Sequence, residues 1–253
     1  MKIGIVQFSQ RWEKPEENIE TIERLVKECK EEYDLLIFPE MTLTGFTMHS
    51  EQFAEEIDGI ATSYFISLAT RLKKHIFAGI IERDGDKIYN SLVHFNEKGI
   101  ITARYRKIHP YTRAKEDKCY AAGEETVITK IGDAKIGLTI CYDLRFPELY
   151  RIICKSGIDM FINIANWPVP RIEHWKTLLK ARAIENQCFI AGCNRTGSDP
   201  KNDYNGRSAL YDPMGDELIL TDETEGIFVV EADLARVAEV RNTLPFLNDM
   251  KMI

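Results

Sequence analysis

Residues 135–141 have the sequence Lys135-Ile136-Gly137-Leu138-Thr139-Ile140-Cys141, and the chain continues with Tyr142-Asp143-Leu144-Arg145-Phe146-Pro147. The first segment is a nearly unbroken apolar run, which is typical of a strand covered on both faces. The second segment leads into a helix pattern that we expect to begin near Glu148. These features predict a buried strand that ends at Cys141 and turns directly into a helix.

A similar segment, Lys2-Ile3-Gly4-Ile5, opens the chain and is the first part of an internal repeat. Three further matches occur in the same order in both parts of the sequence. They pair residues 34–38 with 159–163 and residues 77–80 with 190–193. The last pairs Tyr89-Asn90-Ser91 through Asn96-Glu97-Lys98-Gly99 with Tyr204-Asn205-Gly206 through Asp212-Pro213-Met214-Gly215. Four matches in one order predict two related halves, near residues 1–130 and 131–230.

Each half combines apolar strands with amphipathic helices. Residues 15–32, 55–74 and 175–186 have helical spacing of apolar side chains, and the helix near Glu148 is expected to close at Ser156-Gly157. Helices on one face of each sheet leave the other face to be buried against the second sheet. We therefore predict an α/β fold, a four-layer α-β-β-α sandwich of two pseudo-symmetric halves with an extended C-terminal tail.

Two other α/β folds do not fit this sequence. A dinucleotide-binding fold is excluded because no Gly-x-Gly-x-x-Gly motif follows the first strand, which continues into Gln7-Phe8-Ser9. An eight-fold barrel would need more strand–helix units than the sequence contains.

The composition is that of a globular protein, with 253 residues, 44% hydrophobic and 29% charged, and a net charge of −7. The negative charge disfavours nucleic acid as a partner, because binding to phosphates needs clustered Lys and Arg. No apolar run approaches the roughly 18 residues of a membrane span, and the N-terminus lacks the apolar region of a signal peptide. We expect a cytoplasmic protein with no membrane partner.

The six cysteines and five histidines do not form a metal-binding pattern. No Cys-x-x-Cys pair and no His-x-x-x-His spacing occurs. In a chain of this length, the cysteines fit reduced thiols better than a disulfide framework. We expect neither a zinc site nor disulfides.

A single domain is predicted for residues 1–253, with a tail from about residue 237 to 253. Leu244, Phe246, Met250 and Ile253 are apolar residues in this tail without helical or strand periodicity. An apolar terminal segment needs a surface to cover. We expect that surface to belong to a neighbouring subunit; the alternative is packing on the tail's own domain.

Two residues that end predicted strands are candidates for chemistry. Cys141 would be presented at the carboxyl edge of the sheet, with the N–H group of Tyr142 next to it as an oxyanion donor. The alternative for Cys141 is a small buried residue in the core. Glu40 ends the matching strand of the first half, where an unpaired carboxylate is costly to bury. A glutamate at the rim of the sheet or a helix-capping acid is the alternative for Glu40.

Lys107 follows the predicted strand of residues 100–105. Strand alternation places Tyr105 and Lys107 on one face and Arg104 and Arg106 on the other, although a basic surface patch is also possible. The loop of residues 111–123 that follows has little periodicity, which is typical of a lid. Within this loop Glu116, taken alone, is expected to be a solvated charge.

Cys141, Glu40 and Lys107 together provide a nucleophile, a base and a cation. A free cysteine is only a few per cent thiolate at neutral pH, so a neighbouring carboxylate is needed to accept its proton. An ammonium group stabilises both a thiolate and an oxyanion. This set predicts acyl transfer without a metal ion or an organic cofactor.

At these residues the sequence resembles the nitrilase superfamily of carbon–nitrogen hydrolases. The matching segments are Phe38-Pro39-Glu40, Tyr105-Arg106-Lys107-Ile108-His109, and residues 137–148 around Cys141. The resemblance covers nearly the whole chain. It implies the α-β-β-α sandwich, a Glu40–Lys107–Cys141 triad, Glu116 as a second glutamate, and a homodimer or higher homo-oligomer.

Other segments resemble the omega-amidase branch of the superfamily. They are residues 165–171, His174-Trp175, residues 181–187 and Cys193-Asn194-Arg195. This branch hydrolyses the terminal amide of 2-oxoglutaramate and 2-oxosuccinamate. The alternatives are a hydrolase of N-carbamoyl compounds or of deaminated glutathione, and a non-catalytic scaffold with the same fold.

The resemblance also suggests a mechanism. Glu40 would accept the Cys141 proton, and Lys107 and the Tyr142 N–H group would bind the oxyanion. Glu116 would orient Lys107. A substrate carboxylate needs a cation, which Arg145 or Arg171 would supply, with an ion pair as the alternative role of either arginine. The expected substrate-binding residues are Tyr111, Tyr142, Arg145, Asn166, Trp167 and Arg171, although core packing is the commoner role of such aromatic residues.

Overall fold

The computed structural model describes residues 1–251, so the predicted tail residue Ile253 lies outside the described residues. The strands are β1 (Lys2–Gln7), β2 (Leu35–Ile37), β3 (His75–Asp84), β4 (Lys87–Phe95), β5 (Ile101–Arg106), β6 (Ile128–Ile131), β7 (Ala134–Ile140), β8 (Met160–Ile164), β9 (Phe189–Cys193), β10 (Thr196–Ser198), β11 (Asp203–Asn205), β12 (Ala209–Tyr211), β13 (Glu217–Leu220) and β14 (Gly226–Glu231). The helices are α1 (Pro15–Glu28), α2 (Ser50–Phe53), α3 (Ile60–Leu72), α4 (Pro147–Cys154), α5 (Ile172–Asn186) and α6 (Ala235–Thr243).

Two six-stranded sheets have the same topology. The first has the order β14-β1-β2-β3-β4-β5, and the second has the order β13-β12-β9-β8-β7-β6. In each sheet three parallel strands, β1-β2-β3 or β7-β8-β9, are followed by two antiparallel ones, β4-β5 or β12-β13. The first three matches of the sequence repeat therefore fall on corresponding strands, whereas in the fourth Asn90 lies in β4 and Asn205 lies in β11 of a separate two-stranded sheet with β10.

The boundary between the halves differs from the predicted one at two edge strands. β6 begins at Ile128, before the predicted boundary near residue 130, and pairs antiparallel with β7 of the second sheet. β14 comes from the end of the second half but pairs antiparallel with β1 of the first sheet. Each sheet therefore has one edge strand that the predicted boundary assigned to the other half of the sequence.

The two sheets bury their inner faces against each other. Ile3, Ile37 and Phe77 of the first sheet share one apolar core with Leu138 and Ile162 of the second, and all five side chains are fully buried. On the outer face of the first sheet, α1 and α3 form a second core, and on the outer face of the second sheet α4 and α5 form a third. The predicted four-layer α-β-β-α sandwich is confirmed.

The helix ends differ from the predicted ones for local reasons. α1 ends at Glu28 because Cys29 adopts an extended conformation. α3 begins at Ile60 rather than at Glu55, because Glu55 forms an isolated bridge with Glu82 and its carboxylate accepts the N–H group of Ala61. α5 begins three residues earlier than predicted.

The described part of the tail packs on its own chain. Val237 and Val240 of α6 are buried, and the Arg241 guanidinium donates a hydrogen bond to the Ile158 carbonyl. Phe246, in the following turn, is 61% exposed. Among the described residues, no helix has both the length and the apolarity needed to cross a membrane.

Candidate active site

Glu40 lies just beyond the carboxyl end of β2, in a backbone segment held from two sides. The Gln10 side chain donates hydrogen bonds to the carbonyl groups of Glu40, Met41 and Thr42, at 3.0, 2.9 and 3.1 Å. On the other side, a Cβ atom at Gly79 would lie 2.5 Å from the Met41 nitrogen. Glycine therefore permits β3 to approach the segment closely and fix the position of Glu40.

Cys141 lies at the carboxyl end of β7, at the start of a 3₁₀ helix over Cys141–Arg145; β7 corresponds to β1 of the first sheet, so the predicted match between the strands of Glu40 and Cys141 is wrong. Its φ of 46° lies in the left-handed region, which is strained for a residue other than glycine. Met41, which follows Glu40, has the same φ value. The turn at Cys141 is held by the buried Asp143 carboxylate, which accepts the Ile140 N–H group at 2.9 Å and the Tyr105 hydroxyl at 2.7 Å.

Lys107 follows β5, and the side chains of this strand alternate as predicted. Tyr105 and Lys107 are buried, whereas Arg104 and Arg106 lie on the other face and pair with the buried Glu82 carboxylate. The Lys107 backbone N–H group donates to the Asn90 carbonyl at 2.9 Å. The basic surface patch is therefore formed by the two arginines and does not include Lys107.

The Lys107 ammonium group binds two glutamates. Its Nζ atom lies 2.9 Å from Glu40 Oε1, and 3.1 and 2.9 Å from Glu116 Oε1 and Oε2. Lys107 is 1% exposed and both glutamates are 0% exposed. The second oxygen of Glu40 accepts the backbone N–H group of Asn166 at 2.9 Å. Every charge in this cluster thus has an ionic or hydrogen-bond partner, as buried charges require.

The expectation for Glu116 from its local sequence, a solvated charge, is wrong. The loop of residues 111–123 contains two 3₁₀ turns, Thr112–Ala114 and Glu116–Lys118, which direct the Glu116 side chain inward. There its carboxylate accepts the Tyr111 N–H group at 2.6 Å in addition to the Lys107 contacts. The position implied by the family resemblance, next to Lys107, is the one that the structure contains.

The charges of this cluster determine how each group titrates. Burial alone lowers the pKa of Lys107, but the carboxylates of Glu116 and Glu40 outweigh it and raise the pKa well above its usual value. Lys107 is therefore a permanent cation. Burial and the Glu40 carboxylate raise the pKa of the Cys141 thiol well above its usual value, although Lys107 opposes them. The resting thiol is protonated and needs a base before it can attack.

Lys107 and Cys141 open into a cavity of about 660 Å³. All six predicted substrate-binding residues line it: Tyr111, Tyr142, Arg145, Asn166, Trp167 and Arg171. The wall also carries Arg113, Lys115 and Lys201, and Asp199 is its only acidic residue within the described part of the chain. The Asp199 carboxylate accepts the Tyr204 hydroxyl and two backbone N–H groups of its own turn. The cavity is therefore suited to an anionic ligand.

These lining residues also have partners within the chain. The Asn166 amide donates to the Glu40 carbonyl at 2.7 Å, so this side chain holds Glu40 in place. The guanidinium of Arg145 lies 4.8 Å from the centre of the Trp167 ring, and that of Arg171 lies 5.9 Å from the Tyr111 ring. Neither arginine has a carboxylate partner among residues 1–251, so the ion-pair alternative is not observed for them there.

Sequence reasoning missed three residues that support this cluster. Asn90 donates to Glu40 and to Glu116, Gln10 holds the backbone around Glu40, and Asp143 holds the turn at Cys141. Asn90 was visible in the internal repeat, and Asp143 lies inside the segment around Cys141. No local pattern marks Gln10. Among the described residues, no group of three His, Cys, Asp or Glu side chains is arranged to hold a metal ion.

Comparison with known proteins agrees with this geometry. The carbon–nitrogen hydrolase family model matches residues 2–242. The 2-oxoglutaramate amidase of Bacillus subtilis (strain 168) is 37% identical over 251 residues, which are 98% of this chain and 97% of that protein. The omega-amidase YafV of Escherichia coli (strain K12) is 33% identical over 219 residues, which are 85% of this chain and 84% of that protein.

The fold has a close match among solved structures. A CN-hydrolase superfamily protein of Xanthomonas campestris, solved with an arsenic adduct in its active site, has a TM-score of 0.93 and 32% identity, covering 100% of this chain and 98% of that one. The resemblance noted in the sequence is thereby confirmed along nearly the whole chain. The protein belongs to the carbon–nitrogen hydrolase family.

Proposed function

We propose that the protein is an omega-amidase, which hydrolyses the terminal amide of a small linear substrate that carries a carboxylate. Its substrates would be 2-oxoglutaramate and 2-oxosuccinamate, and its products the dicarboxylate and ammonia. The observation that carries the proposal is the Glu40–Lys107–Glu116 cluster beside Cys141, at a cavity whose wall is rich in cations. The names of two relatives at 37% and 33% identity, 2-oxoglutaramate amidase and omega-amidase, support this substrate class.

The first half of the proposed reaction forms a thioester. Glu40 accepts the proton of the Cys141 thiol, and the sulfur attacks the amide carbon. The negative charge moves to the carbonyl oxygen, where the Lys107 ammonium and the Tyr142 N–H group stabilise it. When the intermediate collapses, the C–N bond breaks and Glu40 returns the proton to the nitrogen, so ammonia leaves.

The second half releases the acid. Glu40 accepts a proton from water, which attacks the thioester carbon, and the oxyanion again forms beside Lys107. The C–S bond then breaks, the sulfur regains a proton through Glu40, and the dicarboxylate leaves. Throughout, Glu116 holds the Lys107 ammonium in place with its two oxygens. Both half-reactions use the same base and the same cation.

The cavity wall offers two candidates for binding the substrate carboxylate. Arg145 and Arg171 each lie over an aromatic ring and lack a carboxylate partner among the described residues, although both terminal nitrogens of Arg145 also lie 3.3 Å from His174 Nδ1. An arginine in this state presents its donors to a ligand carboxylate in the paired geometry that such groups favour. We propose that at least one of them binds the carboxylate distal to the scissile amide.

Replacing each arginine with methionine separates binding of the carboxylate from catalysis. We expect replacement of the arginine that binds the carboxylate to lower kcat/KM for 2-oxoglutaramate by about 10- to 100-fold, since a hydrogen bond to a charged group contributes about 1.5–3 kcal/mol. For a neutral amide of similar length, the same replacement should lower kcat/KM only slightly. Ammonia release by Arg145→Met and Arg171→Met on both substrates measures this, with Arg83→Met on the protein surface as the control. Equal losses on the two substrates for both variants would contradict the assignment.

The substrate itself is tested by a panel that separates the alternatives. Ammonia release is measured with 2-oxoglutaramate, succinamate, N-carbamoyl amino acids, deaminated glutathione and simple nitriles. The proposal predicts the highest kcat/KM for 2-oxoglutaramate. A preference for a carbamoyl compound or for deaminated glutathione would replace the substrate assignment, and no turnover of any compound by the folded protein would favour the scaffold.

We also propose that the protein is a single-domain homodimer of the cytoplasm. Large apolar side chains are exposed on α4, α5 and the tail, at Ile152 (48%), Ile184 (46%) and Phe246 (61%), and such residues favour a protein partner. The six cysteines are all free thiols, which is typical of a reducing compartment. Sedimentation equilibrium tests the dimer, and a single monomeric species at micromolar concentration would contradict it.

A further inference from the structure

Asn90 in β4 connects the two glutamates that bind Lys107. Its Nδ2 atom lies 2.7 Å from Glu40 Oε1 and 2.9 Å from Glu116 Oε1. A primary amide has two N–H groups, so it donates one to each carboxylate. Through its backbone carbonyl, Asn90 also accepts the N–H group of Lys107 at 2.9 Å. One residue thus touches all three charged members of the cluster.

The orientation of the Asn90 amide follows from these contacts. The Oδ1 atom is buried and has no hydrogen-bond partner within the described residues. Exchanging the two ends of the amide would place this oxygen against two carboxylate oxygens at 2.7 and 2.9 Å, which is repulsive. Leaving a buried acceptor unpaired costs free energy. The contacts of the amide nitrogen with the glutamates therefore determine its direction.

The formal charges around Asn90 do not balance, and the neutral amide adds hydrogen-bond donors but no charge. Two buried carboxylates face one ammonium, and the other titratable groups nearby are the thiol of Cys141 and the phenol of Tyr120, both neutral at pH 7. Lys107 alone thus leaves one negative charge in excess. Burial raises the pKa of Glu116, as does the Glu40 carboxylate, while Lys107, Asn90 and the Tyr111 N–H group oppose that rise.

We propose that Asn90 is a positioning residue of the reaction, whose amide holds Glu40 and Glu116 side by side as carboxylates and so keeps Glu40 available as the base. The inference rests on the role of Glu40 in the proposed function. Without the amide, the excess charge is relieved by a proton that one of the two glutamates takes up. A protonated Glu40 cannot accept the proton of Cys141.

The pH profile of kcat/KM tests this inference. Asn90→Asp keeps the shape of the side chain but replaces the two N–H donors with a third carboxyl group. The acid limb of this profile is the pH range in which kcat/KM falls as the base becomes protonated. We expect it to move to higher pH by about one unit or more, as the loss of a hydrogen bond to a charged group implies. Activity should fall about tenfold near the wild-type limb and recover as the pH is raised. A role in packing alone predicts an unshifted limb.

Two further variants complete the design. Asn90→Ala removes the donors without adding an acid, so it gives the same test if Asn90→Asp does not fold, and its limb should move in the same direction. Asn205→Ala is the matched control, because Asn205 is the residue paired with Asn90 in the sequence repeat and its side chain has no hydrogen bond to a carboxylate among residues 1–251. Its limb should match that of the wild type. An unshifted limb in either folded Asn90 variant would overturn the inference.

Alkylation of Cys141 by iodoacetamide separates this inference from the proposed function. Alkylation needs Glu40 to accept the thiol proton but does not depend on amide hydrolysis. The pH profile of the alkylation rate should therefore show the same acid limb as kcat/KM. If the limb for alkylation shifts in the Asn90 variants while no amide is turned over, the inference stands and the omega-amidase proposal fails. If 2-oxoglutaramate is turned over and neither limb shifts, the proposed function stands and Asn90 has no positioning role.

Discussion

Replacing Cys141 with alanine is expected to abolish amide turnover, with a loss of kcat on the order of 10⁴-fold or more, as removal of a nucleophile commonly causes. The side chain lies at a strained turn that Asp143 and the 3₁₀ helix hold independently of the sulfur. The fold should therefore be retained, and its Tm should stay close to that of the wild type. Ammonia release and thermal unfolding of the same preparation measure both quantities.

The chain offers a matched control for this substitution. Cys29 is also partly exposed but lies at the end of α1, outside the cavity. We expect Cys29→Ala to keep full activity. Iodoacetamide should inactivate the wild type and Cys29→Ala at the same rate. Undiminished turnover by Cys141→Ala would show that the reaction does not pass through a thioester at this residue.

Replacing Lys107 with methionine is expected to cost both activity and stability. Glu40 and Glu116 would stay buried without their cation, and breaking a buried ion pair in this way destabilises a protein by about 3–5 kcal/mol. Burial already raises the pKa of Glu116, and without Lys107 nothing charged opposes that rise. The folded variant then binds more protons than the unfolded chain, so its stability should rise as the pH falls from 8 to 5. Urea unfolding at both pH values measures this.

A second substitution separates the two effects of Lys107. Adding Glu116→Gln to Lys107→Met removes one of the two uncompensated carboxylates, so part of the lost stability should return. Turnover should not return, because the cation beside the oxyanion is still missing. Lys118→Met, at an exposed lysine in the same region, is the control and should change neither quantity. An active double variant would contradict the proposed role of Lys107.

Much of the fold was predictable because its two halves repeat the same sequence pattern. Apolar strands such as β7 and β8, buried on both faces, required a covering layer on each side. Long amphipathic helices supplied the outer layers. The exchange of β6 and β14 between the halves was not predictable, because edge pairing depends on which sheet lies nearby and not on the pattern within the strand.

The site was predictable where it depends on the ends of strands. Glu40 and Cys141 each follow the carboxyl end of a buried parallel strand, and alternation in β5 separated Lys107 from its two arginine neighbours. Glu116 was different, since an acidic residue in a charged loop has no local signal of burial. Asn90 was visible only as part of a repeat. The roles of Glu116 and Asn90 both depend on charged groups that lie far apart in the sequence and are brought together by the packing of the chain.

The central claim is that Cys141 carries the acyl group during turnover. Quenching the wild type in acid within its first turnover, with the best amide of the panel, preserves a thioester for peptide mass spectrometry. The account predicts a mass increase equal to the substrate minus ammonia on the peptide that contains Cys141, and its loss in Cys141→Ala. Ammonia released in that first turnover without a matching adduct, or an adduct on another side chain, would contradict it.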